Sequence, residues 1–279
     1  MKKVLVLGTL LLVYALLMVP FSSYLRHRPV AIKLGYMPEG EALRVLASDQ
    51  RYFLAQMEVD RVLFYYGSLF MKEGNLIETP PEYLNMFATM QSALKLDPYN
   101  QDAYYFAQAA FTWELRRIKE VNNMLDYGMK YRTWDAQLPF YAGFNAAYFN
   151  KDYRTASLYM RKAAEISGNP LFTTLASRYF YEAGQTALGV AFLDGMEKGA
   201  KDPKIRKIYH MRRVALEAAE LISAALKRYQ ARWGHLPPDL AALVSAGLLE
   251  RIPADPYGGA FYLDPEGRVN STSKFSQKQ

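Results

Sequence analysis

Apolar residues recur at spacings of three and four along most of this chain, from just after Gly40 to about Trp233. That spacing places apolar side chains on one face of an α-helix, and strand-like alternation is almost absent from the same region. Turn-forming residues interrupt the pattern and leave helices of ordinary length between them. The interruptions are Gly74-Asn75, Pro80-Pro81, Asp97-Pro98-Tyr99-Asn100, Gly168-Asn169-Pro170 and Asp202-Pro203. The sequence therefore predicts a mainly α fold.

The N-terminus has the pattern of a membrane anchor. Lys2 and Lys3 precede an apolar run over residues 4–19, and few polar residues follow it up to Leu25. The run is longer than the apolar core of a usual signal peptide, about 7–15 residues, and counting on to Leu25 gives the length of about 20 that a span needs. Bulky residues stand where a signal peptidase needs small ones, which favours an uncleaved anchor over a cleaved signal.

The orientation of this anchor follows from the charges on either side of it. Lys2 and Lys3 are nearly balanced by Arg26, Arg28 and Lys33, so the positive-inside rule alone is close to a tie. A short basic head before a first apolar segment usually stays in the cytoplasm. We therefore predict a single-pass inner-membrane protein with the bulk of the chain in the periplasm.

The basic residues do not form the surface of a nucleic-acid binder. The net charge is +7, but the bases are scattered among acids without a long basic run. The main groups are Arg116, Arg117 and Lys119; Arg206 and Lys207; and Arg212 and Arg213. They are interpreted as solvated helix faces, so nucleic acid is not a predicted partner.

Catalytic patterns are missing from the sequence. The absence of cysteine excludes disulfides, thiol catalysis and Cys-ligated zinc. His27, His210 and His235 have no metal-ligand spacing, and no nucleophile elbow, phosphate loop or dinucleotide fingerprint is present. The prediction is a protein that is not an enzyme, without catalytic residues, metal or cofactor, although paired carboxylates in a cleft remain an alternative.

Two similar helix endings point to internal repeats. Residues 93–98 and 162–170 both close a periodic helix with Asp or Asn followed by Pro. Both resemble the ends of tetratricopeptide (TPR) repeats, and residues 138–170 form the best copy because their length is close to the TPR period of about 34. Small residues such as Gly143 and Ala156 suit the contact between two helices, and Pro170 suits the end of the second helix. Looser copies start at Gln101 and at Leu171, and an earlier one spans residues 58–98.

The TPR resemblance implies a scaffold whose concave face, lined by the first helix of each repeat, holds a peptide or a helix of a partner protein. The concave positions correspond to Tyr105, Ala109 and Thr112 in the copy that starts at Gln101, and to Tyr141, Asn145 and Tyr148 in the next copy. An Asn among tyrosines suits recognition of a peptide backbone. The alternative is that the tyrosines pack one repeat against the next.

The C-terminal part has a different pattern. A long helix is predicted from Asp202 to Trp233, where Gly234 stops it, and a short helix over residues 238–248. Two turns rich in Asp, Pro and Gly then flank a predicted hairpin with strands at 260–263 and 268–271.

This region resembles the globular end of the type II secretion major pseudopilin. The matching elements, in order, are Leu226-Lys227-Arg228-Tyr229, Gly234-His235-Leu236-Pro237, Leu243 and Asp255-Pro256-Tyr257-Gly258-Gly259-Ala260-Phe261. Tyr257 replaces the family's Trp, Gly259-Ala260 replaces Asn-Pro, and the N-terminal processing motif of pilin subunits is missing. The resemblance therefore implies a pseudopilin-like end on a repeat array rather than an assembled pilus subunit. The family's calcium loop corresponds to Asp264, Glu266 and Asn270, but turns favour Asp and Asn in any case.

Together these patterns predict four segments. Residues 1–28 form the membrane anchor, 29–57 a linker and first helix, 58–203 a TPR-like helical-hairpin solenoid, and 204–279 the long helix and a small α+β end. The predicted function is a membrane-anchored scaffold for protein–protein interaction in the bacterial envelope, with a type II secretion or type IV pilus component as a candidate partner. An envelope interaction protein unrelated to pili and an envelope enzyme are the alternatives.

Overall fold

The helical periodicity of the sequence is realised throughout the computed structural model, which describes residues 2–27, 33–38, 40–69 and 81–275. The fold is mainly α, with an apolar helix at the N-terminus and a two-stranded antiparallel hairpin near the C-terminus. These three features of the predicted fold class are confirmed, and the helical-hairpin solenoid stays a prediction. The predicted breaks at Gly74-Asn75 and Pro80 lie outside the described residues.

The N-terminal helix, α1, runs over Lys2–His27 and is long and apolar enough to cross a membrane. No residue of its apolar part, Val6–Ser23, is buried within the described structure. The helix is consistent with the predicted single-pass anchor, and a signal sequence near an N-terminus has the same properties.

The body of the protein is a succession of helices. They are α2 (Gly40–Ala47), a 3₁₀ turn (Ser48–Gln50), α3 (Arg51–Ser68), α4 (Tyr83–Leu96), α5 (Gln101–Phe106), a π-helical turn (Ala107–Phe111), α6 (Thr112–Glu114), α7 (Ile118–Tyr131), α8 (Gln137–Tyr148), α9 (Tyr153–Ser167), α10 (Pro170–Glu182) and α11 (Thr186–Gly199). From α7 to α11 each helix packs against the next one along the chain.

Polar side chains in the turns between helices cap three of these helices. Asn100, Asp152 and Asn169 each accept a hydrogen bond from a backbone amide two or three residues ahead, at 2.9–3.0 Å. Such caps satisfy amides that have no partner within the helix. Pro170 was predicted to end a helix, but it is the first residue of α10, where its missing N–H removes no helical hydrogen bond. Gly168, in the left-handed conformation, ends the helix before it.

The C-terminal part consists of α12 (Pro203–Trp233), α13 (Ala241–Ser245), β1 (Phe261–Leu263) and β2 (Val269–Ser271). The long helix and both strands lie within one residue of their predicted bounds. The short helix is shorter than predicted, because Asp239 caps it through the Ala242 amide at 2.9 Å and Gly247 turns the chain after it.

Two large hydrophobic clusters hold the body together. One combines α3, α4, α5 and α7 around residues such as Val62, Met86 and Tyr104. The other joins Leu193 of α11 to Leu216 of α12 and to the hairpin and the turns around it. The second cluster crosses residue 203, the boundary predicted between the repeats and the C-terminal part, so the two segments share a core.

The carboxylate of Asp264 in the hairpin turn accepts hydrogen bonds from neighbouring protein groups. It accepts hydrogen bonds from the Arg268 amide at 2.7 Å, from Arg268 Nε at 2.9 Å and from Asn270 Nδ2 at 2.9 Å. Glu266, the other acid in the loop that corresponds to the family's calcium loop, lies 3.5 Å from Arg268 Nη2. Within the described ranges, no cluster of three or more Asp, Glu or His side chains could hold a metal ion.

We expect the stabilising contribution of Asp264 to be lost in acid. Burial alone would raise the pKa of Asp264, but hydrogen bonds from the Arg268 amide and guanidinium outweigh it and lower the pKa. A carboxylate whose folded pKa lies below its unfolded value of about 3.9 stabilises the fold above that value and loses the contribution as the pH falls. The stability difference between wild type and Asp264→Asn should shrink below about pH 4. Urea unfolding of both proteins at several pH values measures this difference. A difference that stays constant in acid would contradict a lowered pKa for Asp264.

Candidate partner-binding groove

A groove lined by aromatic side chains runs between two helical segments, α5–α6 with its π-helical turn on one side and α8 on the other. Its volume is about 270 Å³. The lining residues are Tyr105, Gln108, Ala109, Trp113, Phe140, Tyr141 and Phe144. Tyr148 extends the lining, because its ring stacks on Phe144 with centroids 5.3 Å apart. These eight residues are called the aromatic groove.

Ring contacts fix the walls of the aromatic groove. Tyr105 meets Tyr141 edge to face with centroids 5.6 Å apart, which joins the two helical segments at one end. At the other end Trp113 lies 5.5 Å from Tyr148 and 4.9 Å from Phe149. Such aromatic pairs contribute roughly 0.5–1.5 kcal/mol each beyond the area they bury. Trp113 is nevertheless 45% exposed and Tyr148 is 51% exposed, so this end presents apolar surface to solvent.

Beneath the groove lies a buried network of amide side chains. Gln108 and Asn145 exchange two hydrogen bonds, at 2.9 and 2.7 Å. Asn145 Nδ2 also donates to Asn122 on α7 at 2.8 Å, and the Thr112 hydroxyl donates to Gln108 at 3.3 Å. The network therefore joins three helical segments and sets the register of α8 against α5–α6.

A charged pair lies next to the tyrosine end. Arg132 binds Asp135 through two nitrogens at 2.9 and 3.1 Å, and both Asp135 carboxylate oxygens lie 3.4 Å from the Tyr105 hydroxyl. Burial and the negative charge of Asp135 raise the pKa of Tyr105 to about 12 and also raise the pKa of Tyr141. Both hydroxyls therefore keep their protons at neutral pH and remain hydrogen-bond donors.

Two cations flank the exposed tryptophan end. The Arg116 guanidinium lies 5.7 Å from the Phe149 ring, and Lys151 Nζ lies 5.4 Å from the Tyr148 ring. Both residues have left-handed backbones, with φ of 53° and 55°. Glycine adopts that conformation without strain, whereas a residue with a side chain loses about 1–2 kcal/mol there. Because Arg116 and Lys151 lie beside the exposed Trp113 and Tyr148 rings, this end of the groove combines apolar surface with positive charge.

The predicted binding residues all lie in this region, in two layers. Tyr105, Tyr141 and Tyr148 line the groove, as does Ala109. Thr112 and Asn145 are fully buried below it, where their side chains bond to Gln108. The tyrosines also pack across the two helical segments, as the packing alternative proposed.

Sequence reasoning missed four residues of the groove. They are Gln108, Trp113, Phe140 and Phe144. Phe140 and Phe144 precede Tyr148 by eight and four positions, so helical periodicity could have included these two, whereas a π-helical turn separates Trp113 from Tyr105.

A second cavity is relevant to the enzymatic alternative. Its volume is about 390 Å³, and it lies between α10, α12 and the hairpin turn. Glu182, Glu220 and Glu266 line it together with Lys227 and Arg268. Acidic and basic side chains are mixed in this lining, as in surface ion pairs. Catalysis by paired carboxylates needs an acid and a base placed on opposite sides of a bound substrate.

No family model, no curated protein and no solved structure matches this chain.

Proposed function

We propose that this chain is a membrane-anchored scaffold that holds a segment of a partner protein in the aromatic groove. The observation that carries the proposal is a half-exposed aromatic lining on a hydrogen-bonded floor. Trp and Tyr dominate the energetics of protein interfaces because they bury large areas and lose little conformational entropy. The groove offers such side chains on helical segments that the Gln108–Asn145 hydrogen bonds join.

The solenoid is part of this proposal. The packing of each helix on its chain neighbour from α7 to α11 supports it, because TPR-like arrays are built from such contacts. In a solenoid of this kind, α5–α6 and α8 are first helices of successive repeats, and the surface between them faces the partner. The C-terminal part packs on α11 through contact between Leu216 of α12 and Leu193 of α11, and it covers the last helix of the array.

The partner segment has a definable chemistry. Its apolar or aromatic side chains would insert between Trp113 and Phe144, and the Tyr141 hydroxyl would donate to one of its backbone carbonyls, while the Tyr105 hydroxyl donates to Asp135. Arg116 and Lys151 favour an acidic residue near the tryptophan end. An extended peptide with an aromatic anchor followed by Asp or Glu satisfies all three features.

The cellular setting is proposed from the N-terminal helix and the sequence resemblances. The anchor would hold the protein in the inner membrane with its bulk in the periplasm. The pseudopilin-like end makes a type II secretion or type IV pilus subunit a candidate partner, and a component of another envelope complex is the alternative. No nucleic-acid partner is proposed.

Site-specific crosslinking in intact membranes tests this proposal. A photo-crosslinking amino acid at position 109 in the full chain places the probe on the groove lining. We expect Trp113→Ala to reduce the crosslinked product about tenfold or more, because a buried interface Trp commonly contributes 2 kcal/mol or more. A secretion or pilus subunit in the product supports the first candidate partner, and a different envelope protein supports the alternative.

Trp134→Ala is the matched control for this experiment. Trp134 is also exposed and stacks on another ring, Tyr99, but it lies outside the groove. We expect it to leave the crosslinked product unchanged. Equal products from wild type, Trp113→Ala and Trp134→Ala would refute the groove as the binding surface.

A further inference from the structure

Arg212 on α12 is a buried cation without an acidic partner. Although the sequence placed it among solvated bases, its residue is only 6% exposed. Its Nε donates to the Ser177 hydroxyl at 2.6 Å and its Nη1 to the Phe275 carbonyl at 3.1 Å. Both acceptors are neutral. A buried charge is normally paired, because removal from water without compensation costs several kcal/mol.

Acids on the elements around Arg212 bind other groups. Asp255 accepts hydrogen bonds from the hydroxyls of Ser271 and Ser273 and from the Tyr257 amide. On α12 itself, the neighbouring Arg213 takes both Glu197 and Glu217, at 2.8 and 2.5 Å. Glu182 on α10 lies 3.9 Å from Arg178. None of these carboxylates forms a described ion pair with Arg212.

Burial and two nearby side chains, Tyr257 and Arg178, act on the charge of Arg212. Burial lowers the pKa of Arg212, and the positive charge of Arg178 lowers it further, whereas Tyr257 acts in the opposite direction. An arginine remains protonated near neutral pH despite such shifts, because its ordinary pKa lies far above neutral pH. The charge of Arg212 is therefore retained at a site where neighbouring side chains do not neutralise it.

A cavity opens beside this guanidinium. Its volume is about 370 Å³, and Arg178, Arg212 and Lys274 supply three positive charges to its lining. Tyr257 and Thr174 add hydroxyl groups. Among the described residues that line it, none carries a carboxylate. A volume of this size accommodates a small-molecule ligand.

We propose that this cavity, formed by α10, α12 and the C-terminal turns, binds an oxyanion with at least two negative charges through Arg212, Arg178 and Lys274. Phosphate groups and dicarboxylates share this chemistry, and Arg presents a planar set of donors that suits both. The ligand would bridge Arg178 on α10 to Lys274 near the C-terminal end of the described chain. This site is independent of the aromatic groove.

Calorimetric titration of the full chain in detergent tests the site, with inorganic phosphate and succinate as probes at constant ionic strength. We expect saturable binding of at least one probe, and a loss of affinity of about tenfold or more in the double variant Arg178→Gln, Lys274→Gln. Saturation by phosphate alone assigns a phosphate-bearing ligand, and saturation by succinate alone assigns a dicarboxylate. Both replaced side chains are exposed, so the variant avoids the fold-supporting contacts of Arg212.

The control variant is Lys204→Gln, Lys207→Gln, which removes the same charge from exposed positions on α12. We expect it to bind both probes as wild type does. Failure of both probes to saturate, or equal weakening in the two double variants, would overturn the proposal. Arg212 would then serve only to hold Phe275 against α10 and α12.

Discussion

Replacing Asn145 with leucine is expected to lower the free energy of unfolding by about 3 kcal/mol. The substitution removes the two bonds exchanged with Gln108 and the bond to Asn122, and it leaves both amides without those partners. A buried polar group that loses its partner costs roughly 1–3 kcal/mol, while the added apolar burial of leucine offsets part of this loss. The penalty should exceed the gain because two amides are affected.

Urea unfolding of the full chain measures this effect, with Asn123→Leu as the control. Asn123 is the exposed neighbour of Asn122 on α7, and its replacement should change stability by no more than about 0.5 kcal/mol. The double variant Gln108→Leu, Asn145→Leu should recover part of the loss, since fewer buried polar atoms then lack partners. If Asn145→Leu is as stable as Asn123→Leu, the network does not hold the groove floor.

Replacing Gly128 with alanine is expected to destabilise the protein by about 1–2 kcal/mol. A Cβ at this position in α7 would lie 2.7 and 2.8 Å from two ring carbons of Tyr104 and 3.0 Å from Leu138 Cδ1. Tyr104 has little room to move, because it is fully buried and its hydroxyl donates to the Pro98 carbonyl at 2.9 Å. Overpacking costs about 1–3 kcal/mol, which exceeds the gain of up to about 1 kcal/mol from replacing a helical glycine.

Gly195→Ala makes the same chemical change in α11 with the opposite expected sign. A Cβ there would meet nothing within 4 Å. No steric cost therefore opposes the higher helix propensity of alanine, and the free energy of unfolding should rise by about 0.5–1 kcal/mol. Thermal unfolding of both variants checks the pair. Stabilisation by Gly128→Ala would show that Tyr104 and Leu138 move aside without cost.

The elements of this fold were predictable where local chemistry decides them. The bounds of α12 follow from Asp202 and Pro203 at one end and Gly234 at the other, which are a cap, a first-turn proline and a left-handed glycine. The hairpin strands were equally accessible, because Asp264 and Gly267 form the turn between them.

The groove was predictable only in part. Repeat positions located Tyr105 and Tyr141, but the same reasoning placed Thr112 on the surface and passed over Trp113. A π-helical turn lies between Tyr105 and these two residues. Its wider winding rotates the following side chains relative to an α-helix, so that Trp113 faces the groove and Thr112 points into the floor. Spacing counted for a regular helix cannot reveal such a shift.

Sequence by itself determined which segments are helical and where most of them begin and end. It also determined that the N-terminal helix is apolar enough to span a membrane. These properties depend on periodicity, caps and hydropathy, which act over a few neighbouring residues. Tertiary structure decided which polar residues are buried. Asn145 meets Gln108 across 37 positions, and Arg212 meets the Phe275 carbonyl across 63. Arg212 and Arg213 are adjacent on one helix, yet only the packing of distant segments determines that the first is enclosed and the second pairs with surface acids.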